Sequence, residues 1–327
     1  MEKIANDIRL LFDRKAVDLA SKEPDIIRTS SQYVPVVKKT VGYIVCGIIF
    51  DKLNQVLMMQ EAKSSCFGTW YAPAGRVEPG ENLTDAVKRE VLEETGLLFN
   101  PLTLICVEFG SGRWYRFTFT GKTVGGSLKD SSQSDSESLQ AKWISYSDIK
   151  TGKIRLRSKD ILPLLELGLQ YKKRSPESCH GDCLPVQIPH KRLLLRMVIA
   201  VKTDSDVKLL VKLNTLPYLP VTDIAPDDWS LLMSVFFLLR DAFGQHSMEP
   251  KICGILSVEH CGLPAAVNDG ICLTCVFSLN SSDEEQLNKF VNQNYQWYSV
   301  RDLELKNLLL RSLTPGMSVP LIDLHSY

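Results

Sequence analysis

The chain has 327 residues, 44% hydrophobic and 23% charged, and its 38 Lys plus Arg balance 38 Asp plus Glu. That length allows two domains of ordinary size. Zero net charge excludes a non-specific binder of polymeric nucleic acid, which needs a basic excess for phosphate contacts. No run reaches the roughly 18 apolar residues of a membrane-spanning helix, so no membrane association is expected. The N-terminus MEKIANDIRLLFDRK lacks the apolar region and cleavage motif of a signal peptide. Nine cysteines at irregular spacing suit free thiols in a reducing compartment, pointing to the cytoplasm and leaving the nucleus open.

In chain order, residues 3–20 place Ile4, Ile8, Leu11, Ala16 and Leu19 at loosely helical spacing. With the polar stretch that follows, residues 1–40 form an N-terminal helix and lead-in. Residues 41–50 and 55–60 alternate as strands around a turn at 51–54, and a helix is predicted over 82–95, ended by Gly96. Residues 103–110 and 114–120 read as strands, 125–138 as a flexible Gly/Ser/Asp-rich segment, 141–145 as a strand and 159–170 as a helix. The first domain is thus expected at 41–171. Residues 172–189 have linker composition, and a second globular half spans 190–327. Mixed strands and helices in this order predict an α/β (α+β) sandwich with helices packed on a mixed sheet.

Two cysteine groupings invite a metal and neither holds up. Cys272 and Cys275 are three apart on a predicted strand, so they point to opposite faces. Cys179, His180 and Cys183 lie in the linker without a second ligand pair. Thiols that bind nothing are the expectation for both.

Residues 75–97, GRVEPGENLTDAVKREVLEETGL, carry the chemistry. Glu90, Glu93 and Glu94 stand at i, i+3 and i+4, within about 100° of one helical face. Three carboxylates so close repel one another, a cost that a divalent cation removes. Oxygen ligands suit magnesium, with manganese as the alternative. A solvated acidic face is the ordinary meaning of a Glu-Glu pair. Here a wider pattern surrounds it.

That pattern resembles the Nudix box at every fixed position: Gly75, Glu81, Arg89, Glu90, Val91, Glu93, Glu94, Gly96 and Leu97. The resemblance covers roughly residues 40–170 and implies a Nudix hydrolase with the α/β/α sandwich of that family. It implies that Gly75 offers its main-chain carbonyl to the metal and that Glu90, Glu93 and Glu94 are metal ligands and catalytic groups. It further implies that Glu81 and Arg89 form a structural ion pair, while Gly96 completes the motif. Glu137 precedes Trp143 at a spacing similar to the family's late catalytic Glu. One departure is Pro73-Ala74-Gly75 where the family often has Pro-Gly-Gly. Leu57, Met59 and Trp70 flank the loop as candidate substrate contacts.

The second half carries a weaker echo. Without gaps, Pro73 aligns with Pro220, Tyr71 with Tyr218 and Pro79 with Pro226, and Trp143–Ile149 resembles Trp297–Leu303. In that register Gly75, Glu90, Glu93 and Glu94 meet Thr222, Phe237, Arg240 and Asp241, so the acidic face is gone. Residues 190–327 are therefore expected to be a degenerate Nudix-like domain without metal-dependent hydrolysis. The helix in LLMSVFFLLRDAF, apolar on most faces, is expected to be buried. A fragment of residues 1–172 is expected to keep the chemistry at a cost in stability or substrate affinity.

The resemblance points to the MutT-like branch, with a nucleotide substrate such as 8-oxo-dGDP cleaved to the monophosphate and phosphate. Alternatives are a general nucleoside diphosphate-X pyrophosphatase, or a second half that acts as a non-catalytic interaction module with partners unspecified.

Overall fold

The computed structural model describes residues 2–19, 23–175, 179–203, 206–245, 248–279 and 291–325. Helix α1 (Glu2–Phe12) carries Ile4, Ile8 and Leu11 on one stripe, all fully buried. Their partners lie far along the chain: Val198, Ala200, Leu209, Leu305 and Leu309 share their apolar cluster.

The first half runs β1 (Gly42–Gly47), β2 (Gln55–Glu61), β3 (Trp70–Tyr71), β4 (Ala74–Arg76) and α2 (Leu83–Thr95). β5 (Leu97–Ser111), β6 (Trp114–Gly126), β7 (Ser138–Ser145), α3 (Tyr146–Lys150) and α4 (Ile161–Lys173) follow. One sheet is ordered β5–β6–β1–β4, with β1 and β6 parallel and the other neighbours antiparallel. A smaller sheet is ordered β3–β2–β7. α2 packs on the cluster of Val45, Leu57 and Val77, while Leu164 and Leu165 of α4 pack with Ile48 and Met58. This is the sandwich expected from the sequence.

β5 and β6 are longer than expected because Leu97 pairs with Gly126 and Phe99 with Thr123. The segment expected to be flexible is held down beyond that point. Buried Lys129 donates to the Glu93 carbonyl (3.1 Å) and pairs with Asp135 (2.7 Å), and Ser138 Oγ donates to the Glu94 carbonyl (2.8 Å). The last turn of a helix leaves carbonyls without intrahelical donors, and this segment supplies them.

The second half runs β8 (His190–Lys202), β9 (Val207–Lys212), β10 (Val221–Asp223) and α5 (Leu232–Phe243). β11 (Pro250–Glu259), β12 (Asp269–Leu279), β13 (Tyr295–Ser299), α6 (Leu303–Ser312) and β14 (Leu321–Asp323) complete it. The pairings repeat those of the first half. β12 and β8 are parallel, as are β6 and β1; β11–β12, β10–β8 and β13–β9 are antiparallel, as are β5–β6, β4–β1 and β7–β2. Trp143 pairs with Leu57, and Trp297 with Leu210.

The halves are interlocked. β14 returns to pair in parallel with β5, α1 covers the second half, and one apolar cluster spans Val45 and Val91 as well as Leu195, Leu238 and Phe277. Within the stretch expected to be a linker, Cys183 is packed: buried, it accepts at its carbonyl from Leu104 N (2.9 Å) and donates its N–H to Thr103 Oγ1 (2.9 Å). A 1–172 fragment would lose the β14 strand of its own sheet and uncover the shared core, the loss of stability expected for it. No helix among the described residues is long and apolar enough to cross a membrane.

Candidate metal and catalytic centre

Asn82 caps α2 by accepting from Asp85 N (2.9 Å), and Gly96 closes it in the left-handed region at φ 75°. Between these caps Leu83, Val87 and Val91 face the sheet, and the same turn of phase buries Glu90 and Glu94 beside them (7% and 1% exposed). Glu93 stays exposed. The β1–β4 pairing sets Gly75 opposite Val45 and against the helix. A Cβ at Gly75 would come within 2.2 Å of the Glu90 carboxyl group, so a larger residue there would displace that carboxylate from the strand. Glu94 Oε2 accepts from Ala74 N at 2.8 Å. Ala74, where the family often has glycine, is tolerated because only its main chain is used at that contact.

Glu81 and Arg89 form the expected ion pair in its two-pronged form, Nε to Oε1 and Nη2 to Oε2, both at 2.8 Å. The remaining donors of Arg89 reach Glu90 Oε1 (2.7 Å), Glu93 Oε2 (3.0 Å) and the Arg76 carbonyl (3.0 Å). One guanidinium thus ties the loop to the helix and orients two acidic groups.

Burial pushes the Glu90 carboxyl up from its ordinary value, and the charges of Glu93 and Glu137 push the same way. Glu137 is exposed, and its N–H donates to Asp135 Oδ1 at 2.9 Å. Burial raises Glu94 well above the ordinary range, with Glu90 and Glu61 adding to it and Ala74 N–H opposing. Glu61, at the end of β2, was not singled out in the sequence. It is fully buried, its Oε1 accepts from Arg157 Nη1 (2.6 Å), and its Oε2 has no protein partner. The signal available was an acid closing the apolar run QVLMMQE.

These residues fit a hard divalent cation. The donors are carboxylates and a main-chain carbonyl, the buried acids repel one another without a cation, and one buried carboxylate oxygen lacks a partner. A different group, His190, Glu259 and Cys272, is the tight His/Cys/acid cluster among the described residues. Arg196 already supplies its cation, donating to Glu259 Oε1 at 2.6 Å, so this is a buried ion-pair network. Cys179, His180 and Cys183 form no such cluster among the described residues, and all nine thiols are free.

Of the three residues expected at the substrate, Leu57 (0% exposed) and Met59 (1%) are core and offer no surface in this conformation. Trp70 is half-buried, with the Lys142 ammonium 5.8 Å from its ring centre.

In the second half the corresponding helix keeps its burial phase and closing glycine but has lost the buried acids. Thr222 pairs with Leu195 as Gly75 pairs with Val45. The segment from Thr222 to Leu231 is one residue longer than that from Gly75 to Leu83, so the gapless register fails at the helix. The burial phase and the helix-closing contacts, Gly96 N to Leu92 O and Gly244 N to Arg240 O, set Leu238, Asp241 and Ala242 opposite Glu90, Glu93 and Glu94. The identities of the replacements are corrected, and two of the three are apolar. α5 is also less buried than expected, with Phe236 and Phe237 exposed at 47% and 40%.

A loop, a helix and a glycine that together gather acidic oxygens around one point define a Nudix centre, and the comparisons agree. The NUDIX domain model matches residues 41–165. The mouse protein "8-oxo-dGDP phosphatase NUDT18" is 36% identical over 291 residues, covering 87% of this chain and 88% of that one. The zebrafish (Danio rerio) protein of the same name is 33% identical over 292 residues, covering 86% and 88%. A solved "NUDIX hydrolase from Nitrosomonas europaea" is 28% identical, covering 42% of this chain and 93% of that one, with a TM-score of 0.35. The chain belongs to the Nudix hydrolase family.

Proposed function

We propose that this enzyme hydrolyses the phosphoanhydride bond of nucleoside diphosphates carrying an oxidised purine, such as 8-oxo-dGDP, in a magnesium-dependent reaction. The observation that carries the hydrolysis is Glu90, buried against Gly75 and oriented by Arg89, beside the buried Glu94 that the Ala74 N–H holds. The oxidised base follows from similarity along most of the chain to proteins named 8-oxo-dGDP phosphatase.

Glu90, Glu93, Glu94 and the Gly75 carbonyl are the groups to hold the cation. Bound there, it would neutralise phosphate charge and acidify a water. Arg89 keeps Glu90 and Glu93 aimed, and Glu81 keeps Arg89 aimed. In this reading Glu90 orients the attacking water and takes its proton, and Glu137 is the assisting acid that the family resemblance suggests. Water adds to phosphorus, the bridging P–O bond breaks, and the monophosphate and phosphate leave. Trp70 is the one proposed base contact with exposed surface.

The test is a panel of normal and oxidised nucleoside di- and triphosphates and sugar nucleotides, assayed with magnesium for released product. An oxidised guanine diphosphate should give the highest kcat/KM. Equal efficiency on the unmodified diphosphate, or preference for a sugar nucleotide, would replace this reading with a general nucleoside diphosphate-X pyrophosphatase.

A further inference from the structure

The turn between β5 and β6 and the loop between β11 and β12 are counterparts, and each is pressed against the other half. Gly112, in the first, donates its N–H to the Asp228 carbonyl (2.8 Å), and a Cβ there would overlap the Ala225 carbonyl. Residues 225–228 are the second half's counterpart of the box loop. Ala225 N donates to Asp228 Oδ2 at 3.0 Å, as Glu78 N donates to Glu81 Oε2 at 3.0 Å. Even the ion pair has a substitute. Arg28, from the lead-in, binds both oxygens of Asp228 and lies 4.6 Å over the Phe237 ring, and Phe237 stands at the place of Arg89.

The converse contact falls on the catalytic side. A Cβ at Gly262 would come within 2.7 Å of the Glu81 carbonyl, and Leu263 Cδ2 lies 3.5 Å from where a Cβ of Gly80 would sit. The loop making these contacts is anchored. Fully buried Asp269 accepts at Oδ2 from Val37 N (2.8 Å), at Oδ1 from Ala266 N (3.0 Å) and at its carbonyl from the Tyr43 hydroxyl (2.8 Å). Glu81 holds Arg89 in two bonds, and Arg89 holds Glu90 and Glu93. A backbone shift at Glu81 therefore reaches the acidic groups in two steps.

We propose that the β11–β12 loop of the second half sets the position of the catalytic loop, with Gly262 and Leu263 as positioning residues acting through Glu81 and Arg89. The inference rests on the box as the hydrolytic centre. A half without its own acidic face thereby contributes to the reaction by bracing the half that has one. Misplacing reacting groups by about 1 Å can cost on the order of a hundredfold in rate, so a fixed brace has a measurable consequence.

The test uses the full chain and compares Leu263→Ala and Gly262→Ala with Leu216→Ala. Leu263 and Leu216 are both 57% exposed, so each alanine change spares the core equally. The measured quantities are kcat, the magnesium concentration for half-activation and the nucleotide KM. Leu263→Ala should lower kcat several-fold and raise the magnesium midpoint with KM unchanged, Leu263→Met should restore both, and Gly262→Ala should act more strongly. Leu216→Ala should match wild type. Should Gly262→Ala fail to fold, Leu263→Ala decides. Wild-type kcat and midpoint in Leu263→Ala, or equal losses in Leu216→Ala, would overturn the inference. Absence of magnesium-dependent hydrolysis in the wild type would instead remove the reading on which it rests.

Discussion

Helices α2 and α5 sit on equivalent strands with the same burial phase and the same closing contact, yet they do opposite work. In α2 the positions that turn toward the sheet include Glu90 and Glu94; in α5 they are Leu238 and Ala242. The first helix gives up packing to hold buried acids, a choice that pays for itself only when a cation is bound. The second fills the same places with apolar side chains and carries Thr222 where a side chain at Gly75 would displace the Glu90 carboxyl. One scaffold supports both because the pairings of the strands do not depend on what the helix carries.

The largest expected effect is at the acids. Glu94→Gln should lower kcat/KM on the order of a hundredfold or more at saturating magnesium, the scale of removing a group that acts on the transition state. Rate measurement beside a thermal melt checks it, because the metal-free variant should melt no lower than wild type. Wild-type turnover would break the contrast between α2 and α5.

Next is the orienting pair. Glu81→Gln should cost about ten- to a hundredfold in rate, as loss of groups that aim metal ligands usually does. The corresponding change in the second half, Asp228→Asn, should lower the melting temperature by loosening Arg28 and leave the magnesium midpoint unchanged. Equal effects of the two on the midpoint would erase the distinction between the halves.

Leu238→Glu sharpens the comparison from the other side. It places a carboxylate at the equivalent of Glu90 without a glycine to receive it, so it should gain no activity. Burying an unpaired carboxyl should cost several kcal/mol, read by denaturant unfolding.

The smallest effect concerns pH. Burial raises the folded Glu94 carboxyl above its ordinary value. Such a group opposes folding once ionised. Its cost is absent below the ordinary carboxylate value, where both states hold the proton, grows as pH rises from that value to the raised one, and is constant above it. The metal-free melting temperature of Glu94→Gln relative to wild type should therefore rise with pH, and magnesium should reverse the order. A difference that stays flat with pH would show that Glu94 is not held out of its charged form.

The box was legible because it resembles the Nudix pattern at every fixed position, where carboxylates at i, i+3 and i+4 alone also describe a solvated face, and the helix follows from its own caps. The second half was legible in outline through Trp143 and Trp297, which occupy equivalent pairing positions. Its register slipped at the helix because an extra loop residue leaves no mark on a gapless alignment. Arg28, β14 and the burial of α1 could not be read locally, since their partners are distant: Arg28 and Asp228 are separated by 200 residues. Leu57 and Met59 flank the right loop, but which face of β2 meets solvent depends on the sheet and helices that cover it.

The most direct test of the central claim, that only the first of two similar halves is catalytic, is magnesium-dependent phosphate release from 8-oxo-dGDP by the full chain carrying Glu90→Gln, Glu93→Gln and Glu94→Gln together. The wild type should release phosphate, and the folded triple variant should release none above the buffer blank. Retained magnesium-dependent release by that variant would place chemistry outside α2 and contradict the account.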